Sequence, residues 1–311
     1  MCGAGDIRLN DGPAGIRDDA RAEYSPSRTG SSVTGEKAPD LERFDERVVR
    51  LFAEHAGFRK IVFVDLDTGF LAQRFHELDE EYRGSQICLG FLEGFLGRRV
   101  NFENSCNRGG GAVWDIAEVD RVRAVCDTHG LALHMDGARF ANALVSLDTT
   151  PAEMTWKRGV DMVSFGGTKN GCWCAEAIVL FDQTKADELA FIRKRAAQLF
   201  SKSRFIAAQF EAYFKDGLWL DTARHANAMA ADLADRMSAL RGVTVSGPPA
   251  VNAVFATVPA AAIAPLKEWS FFWEWDLTVS LVRWMTSFAT TPDDIDRFVA
   301  GVGDIVGRYV D

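Results

Sequence analysis

The sequence predicts an α/β protein, a sheet with crossover helices, followed by a smaller α/β domain from about residue 216. Three observations carry this prediction. Short apolar runs of strand length occur at Ile61 to Val64, Leu131 to Met135 and Met162 to Phe165. Between and after them, apolar residues recur at helical spacing. The order strand, helix, strand, helix is the rhythm of a sheet with crossover helices. No internal repeat is visible.

Residues 1 to 40 are rich in Gly, Ser, Pro, Asp and Arg without a hydrophobic period, and read as an arm or partly disordered lead-in. From Leu41 the character changes: Phe44, Val48, Leu51 and Phe52 recur at helical spacing. Ile61 to Val64 is a short buried strand ending at Asp65-Leu66-Asp67-Thr68-Gly69, and Arg74 to Arg83 is a charged helix. Ile87 to Gly97 is apolar but holds Gly90, Gly94 and Gly97, and takes no assignment. Asp115 with Glu118 makes a capping box, Ile116, Val119, Val122 and Cys126 form one helical face, and Gly130 supplies the stop. Strand Leu131 to Met135, a helical piece at Phe140 to Leu147 and strand Met162 to Phe165 follow.

Thr184 to Lys215 and Asp221 to Arg241 read as long helices on either side of Asp216-Gly217. Strands at Val243 to Ser246 and Val251 to Val258, a helical piece, a strand at Leu281 to Phe288 and a helix from Pro292 complete the chain. The expected organisation is an arm at 1–40, a large domain at 41–215 and a small C-terminal domain at 216–311.

Composition narrows the function. The 311 residues are 47% hydrophobic and 25% charged, which is ordinary for a globular protein. Lys plus Arg number 35 against 44 Asp plus Glu, a net charge of −9. That balance fits an acidic enzyme and argues against a phosphate-backbone binder, which needs concentrated positive charge. No apolar stretch is long enough to span a bilayer, and the polar start of the chain is no signal peptide. Six scattered cysteines make no disulfide framework, so a reduced, cytoplasmic setting is expected. Cys172-Trp173-Cys174 lacks the partner pair a zinc site requires. Trp269, Trp273, Trp275 and Trp284 read as core or interface, since no basic stripe accompanies them. His129 and His225 read as solvated helix residues, and His134 as a core or supporting residue.

Two strand ends carry the chemistry. In His134-Met135-Asp136-Gly137-Ala138-Arg139 an acid leaves the carboxyl end of a buried strand, with an arginine three residues on. In Ser164-Phe165-Gly166-Gly167-Thr168-Lys169-Asn170-Gly171 a lysine follows another strand inside a glycine-rich turn. Ligands in open α/β sheets bind outside the carboxyl ends of strands. An amine able to form a Schiff base and a carboxylate able to keep a pyridine nitrogen protonated are what pyridoxal phosphate requires.

Leu131 to Leu144 followed by Ser164 to Gly171 resembles the threonine aldolase family of fold-type-I pyridoxal-phosphate enzymes. Glu103-Asn104-Ser105-Cys106-Asn107-Arg108-Gly109-Gly110-Gly111 resembles the family's Glu-Asn-Thr-His-Asn loop, and Arg283 to Phe288 its C-terminal strand. The resemblance spans about residues 100 to 308. It implies a mostly parallel sheet in the large domain, pyridoxal 5′-phosphate as cofactor and retro-aldol cleavage of a threonine-like β-hydroxy-α-amino acid to glycine and an aldehyde. Lys169 is then the cofactor-bearing lysine and Asp136 the pyridinium partner. Arg139 and Arg283 clamp the substrate carboxylate, a task suited to the guanidinium fork. Arg204, and Thr68 with Gly69 in the slot of a phosphate turn, are the matching phosphate contacts. Read without the resemblance, Arg204 is equally a surface charge on a long helix, and Thr-Gly after a strand is common.

The resemblance further implies a homodimer or homotetramer acting on a small amino acid, with no nucleic-acid or membrane partner. The chain departs from the family pattern in three places. Cys106 stands where the family loop usually carries histidine, and the stretch from Gly69 to Phe102 is some dozens of residues short, leaving no ring-stacking histidine. The N-terminal Ser-Asp-Asn segment has no clear counterpart in residues 1–40. Two alternatives stay open: another pyridoxal-phosphate amino-acid lyase or racemase, and a non-catalytic relative serving as an oligomer partner.

Overall fold

A computed structural model describes residues 64–65, 99–106, 110–182, 186–196, 198 and 201–310. The readings of the arm at 1–40, of Thr68 and Gly69 and of the helices before residue 98 lie outside the described residues.

The strands of the main sheet are β1 (Val64–Asp65), β2 (Arg99–Glu103), β5 (Ala132–Gly137), β6 (Met162–Gly166) and β7 (Glu176–Leu180), in spatial order β1-β7-β6-β5-β2. β2, β5 and β6 pair parallel, whereas β7 runs antiparallel to both of its neighbours. Between β2 and β5 lie a small ribbon, β3 (Ser105–Cys106) with β4 (Ala112–Val113), and helix α1 (Ile116–His129). The expected capping box closes the start of α1: Glu118 N–H donates to Asp115 Oδ1 at 2.7 Å and Asp115 N–H donates to Glu118 at 3.0 Å. Gly130, at φ 59°, supplies the left-handed stop.

From β5 the chain passes through α2 (Phe140–Leu147) and the short α3 (Pro151–Met154) to β6. Arg123 and Asp161 tie this crossover together: Arg123 donates to the Gly159 and Leu131 carbonyls, and Asp161 accepts from Leu133 N–H at 2.7 Å.

The expected single helix over Thr184 to Lys215 is two helices, α4 (Ala186–Arg195) and α5 (Arg204–Phe214). The polar Ser201-Lys202-Ser203 turn separates them. Phe205 N–H donates to Lys202 and Ile206 N–H to Ser203, so α5 starts afresh there. Serine backbone and side-chain groups favour such turns over continued helix. Helix α6 (Leu218–Ser238) follows after Asp216 and Gly217, both at positive φ.

The second sheet has the order β10-β11-β9-β8, all antiparallel: β8 (Thr244–Val245), β9 (Ala253–Thr257), β10 (Trp273–Asp276) and β11 (Leu281–Met285). Helices α7 (Ala260–Trp269) and α8 (Pro292–Val306) belong to it. Its core joins Val254, Ala256, Val282 and Trp284 to Leu233 and Met237 of α6 and Val302 of α8. The core of the first sheet centres on Phe165, whose ring lies 5.5–6.5 Å from those of Phe140, Phe210, Tyr213, Phe214 and Trp219. Among the described residues, no helix is long and apolar enough to cross a membrane.

Among the tryptophans, Trp284 is core, Trp269 is half exposed and stacks on Phe298, and Trp273 is exposed beside Phe271. His129 is exposed in the last turn of α1. His225 departs from its expected solvated state: it is half-buried, and its Nε2 lies 2.7 Å from the Thr290 carbonyl, joining α6 to the entry of α8.

Candidate active site

Parallel register brings three polar residues to the carboxyl ends of neighbouring strands. Glu103 of β2 pairs with Asp136 of β5, and Asp136 with Ser164 of β6. Residues in register on adjacent strands share a face, and so do residues two apart on one strand. Asn101 and His134 therefore lie one row beneath Glu103 and Asp136. His134 is buried there, with Nδ1 3.0 Å from Asn101 Oδ1 and Nε2 2.9 Å from Ser164 Oγ. Burial first, and then the charge of Arg99, hold its imidazole down to a pKa of about 4, so it is neutral at physiological pH. His134 supports the row above it, as expected.

Asp136 is half-buried, and its Oδ1 accepts from Ala138 N–H at 3.0 Å. Gly137 has no room for a side chain, because a Cβ there would meet the Ser164 carbonyl at 2.9 Å. Arg139 follows at the start of α2 and is 8% exposed. Its Nη1 lies 4.0 Å from Glu103 Oε1, and neither Nε nor Nη1 has a hydrogen-bond partner among the described residues. Burial lowers the Arg139 pKa, against the raising influence of Glu103 and Asp136. Asn104 and Ser105 are also buried, and their side-chain polar atoms lack partners among the described residues.

Lys169 sits in the 3₁₀ turn Thr168–Asn170 directly after β6. The turn is pinned from below by Asn170, which donates to Tyr213 Oη at 2.6 Å and to the Trp219 carbonyl at 2.8 Å. With Asn170 buried, Lys169 is left exposed. Gly166 and Gly167 let the backbones close in: added Cβ atoms would stand 2.8 Å from the Ala138 and Ala175 carbonyls respectively. Lys169 and Asp136 both act electrostatically on one carboxylate, Glu176 at the start of β7. The two strand ends lie side by side, since β5 and β6 are parallel neighbours with Asp136 in register with Ser164.

Arg283, on β11, joins the group from the second sheet. Its guanidinium lies over the Trp275 ring at 4.6 Å. Burial lowers its pKa first, then the nearby charge of Arg139, while Glu103 raises it. Past β11, the Phe288 ring comes within 4.0 Å of where a Cβ on Gly171 would sit, next to the lysine turn. Arg204 is different. It opens α5 as an exposed residue with its guanidinium 4.8 Å from the ring of its neighbour Phe205, and no hydrogen bond among the described residues ties it to Asp136, Arg139 or Lys169. Cys106 ends β3.

Glu103 and Glu176 complete the charge balance, and sequence reasoning assigned neither a role. Glu103 was visible only as part of a motif. The signal for Glu176 is faint: one acid at the head of the apolar run Ala177 to Leu180.

Comparisons with known proteins place the chain in a family. The sequence model of the beta-eliminating lyase family matches residues 98–261, more than half of the chain. The chain belongs to that family. Low specificity L-threonine aldolases from a Pseudomonas species and from Pseudomonas aeruginosa are each 42% identical to it over 164 residues, covering 52% of this chain and 47% of theirs. The chain thus spans about half the length of the curated relatives it matches. The solved threonine aldolase of Leishmania major is 28% identical, with a TM-score of 0.60 over 78% of this chain and 68% of its own. The family fold is accordingly the α/β, fold-type-I architecture, and the strand-end row, the lysine turn and most of the second sheet's first half fall inside the matched region.

Proposed function

We propose that this protein is a pyridoxal-5′-phosphate-dependent aldehyde-lyase that cleaves a threonine-like β-hydroxy-α-amino acid to glycine and an aldehyde. The reading rests on the placement of Asp136 at the carboxyl end of β5 and of Lys169 in the turn after the neighbouring parallel strand β6, with Arg139 opening α2 just past Asp136 and Arg283 within electrostatic reach of Arg139. Family membership and the threonine aldolases among the relatives support it.

The residues fit the cofactor. An exposed amine, a half-buried carboxylate and a buried arginine with unpartnered Nε and Nη1 are the donor set a charged heterocycle with an anionic substituent needs. Lys169 would hold it covalently and Asp136 would face its ring nitrogen. Arg139 and Arg204, with Thr68 and Gly69, are the remaining proposed contacts. When bound, the cofactor supplies an electron sink for the pair released as the Cα–Cβ bond breaks.

The chain's own residues do the rest. Arg139 and Arg283 bind and orient the substrate carboxylate, and Glu103 offsets the repulsion between the two guanidinium groups. The neutral His134, bonded on both sides, fixes the strand row under Asp136 without adding a charge that would compete for its carboxylate. Asp136 would keep a proton at the ring nitrogen. A homodimer or homotetramer in the cytoplasm belongs to the same proposal.

The test is a product assay on the full chain with added cofactor and L-threonine or L-allo-threonine. Equal amounts of glycine and acetaldehyde, absent in Lys169→Ala, support the reading. Ammonia and a 2-oxoacid in their place would indicate elimination and contradict it.

A further inference from the structure

One turn of α6 bonds in two directions through three consecutive residues. Asn227 makes an amide clasp with Asn142, in the first turn of α2. Asn142 Nδ2 donates to Asn227 Oδ1 at 2.9 Å, and Asn227 Nδ2 donates to the Asn142 carbonyl at 3.1 Å. The Ala226 carbonyl accepts from the Thr286 hydroxyl at 2.7 Å, and His225 Nε2 donates to the Thr290 carbonyl at 2.7 Å. Helix α2 lies between β5 and β6 of the first sheet, whereas Thr286 and Thr290 follow β11 of the second. The same turn of α6 therefore holds both.

Each of these contacts stands close to an arginine of the candidate site. Asn142 is three residues past Arg139, which opens α2, and Thr286 is three residues past Arg283 of β11. The Arg139 carbonyl accepts from Ala143 N–H at 3.1 Å, so the turn that begins at Arg139 is the turn that carries Asn142. Thr286 is fixed in its turn against the start of β9. Its N–H donates to the Asn252 carbonyl at 3.1 Å, and its own carbonyl accepts from Asn252 Nδ2 at 2.7 Å.

The two arginines approach one another over the β3–β4 ribbon. Arg283 is in register with Phe255 of β9, and Phe255 packs against Val113 of β4. Arg139 reaches the same ribbon from the other side, with its Nη1 4.0 Å from Oε1 of Glu103, two residues before β3. Asn142, Thr286 and Asn252 are all buried. Aliphatic side chains would fill such space without fixing how one helix slides on another; a paired amide, satisfied on both sides, fixes it.

Resting on the reading that Arg139 and Arg283 hold the substrate carboxylate, we propose that Asn227 is a positioning residue for that grip. Through its clasp on Asn142, and with the Thr286 and Thr290 bonds of the same helical turn, it sets the span between the two guanidinium groups. A ligand without a carboxylate makes no use of that span.

The experiment titrates the cofactor-loaded full chain with glycine and with methylamine, which differ by the carboxylate alone, in a calorimeter. Cofactor loading is matched by absorbance. Asn227→Ala weakens glycine about fivefold or more and leaves methylamine within about twofold of wild type. Asn227→Asp, which keeps the acceptor for Asn142 Nδ2 and loses the donor, falls between them. Unchanged glycine affinity in Asn227→Ala, or an equal loss for both ligands, overturns the proposal. If Asn227→Ala does not fold, Thr286→Val deletes the Ala226 bond at nearly constant volume and is read in the same way. Arg139→Lys and Arg283→Lys are measured alongside. Glycine weakened in these but not in Asn227→Ala overturns the positioning role alone, whereas unchanged glycine affinity in both arginine variants overturns the carboxylate reading and the proposal with it.

Discussion

At the scale of single residues, the candidate site is a set of charges whose separation from water is uneven. Lys169 is exposed, Asp136, Glu103 and Glu176 are half-buried, and Arg139 is buried. Asp136→Asn removes the charge that would hold the ring nitrogen's proton. It should lower kcat by at least about a hundredfold, the usual loss when a preorganised charge partner is removed, while the protein stays folded. Steady-state kinetics with a circular dichroism control check this. Arg283→Lys keeps the charge but loses the fork and the stacking on Trp275; KM for the amino acid should rise by about tenfold with a smaller change in kcat. His134 makes a separate prediction for stability. Its folded pKa of about 4 lies below the ordinary value of 6.5, so the unfolded chain binds more protons between those values. Stability is therefore full above about pH 6.5 and is lost as pH falls toward 4, by an amount on the order of 3 kcal/mol. Urea midpoints across that range should fall more steeply for wild type than for His134→Gln; parallel slopes would exclude His134 as the source.

At the scale of elements, what the sequence displayed depended on whether an element advertised itself locally. Helix α1 was legible because Asp115, Glu118 and Gly130 mark both ends. Strands β5 and β6 were legible as short apolar runs that end in polar, glycine-rich turns. Strand β7 was not, since Ala177 to Leu180 are buried without alternation and follow the Cys172-Trp173-Cys174 loop, which has no strand signature. The split between α4 and α5 was hidden for the opposite reason: helical period continues on both sides, and only the serine pair at 201 and 203 interrupts it. At the closing helix, Thr291 accepts from Asp294 N–H at 3.1 Å in a capping box ahead of Pro292. Thr291→Ala should cost about 1 kcal/mol, read as a lower urea midpoint with an unchanged slope.

At the scale of the whole molecule, two antiparallel or mixed sheets with separate cores share helix α6, whose N-terminal part touches the Phe165 cluster and whose C-terminal part enters the second core. That cluster also underlies the lysine turn, because the Trp219 carbonyl and the Tyr213 hydroxyl receive the Asn170 side chain. Fold and site are thereby coupled through one aromatic core, and that coupling was invisible in the sequence: Tyr213 and Trp219 lie far from Lys169 along the chain. The candidate residues Asp136, Arg139 and Lys169 were legible because they sit in short motifs at strand ends; the place of Glu103 beside Asp136 and of Glu176 beside Gly166 became apparent only through register. The central claim is that one lysine at this candidate site carries the cofactor. The direct measurement treats the purified full chain with pyridoxal 5′-phosphate, records its visible spectrum, reduces it with borohydride and maps the modified peptide. The account predicts a visible band that borohydride abolishes, with the label fixed on Lys169 and lost in Lys169→Ala. No band, or a label fixed on another lysine, would contradict it.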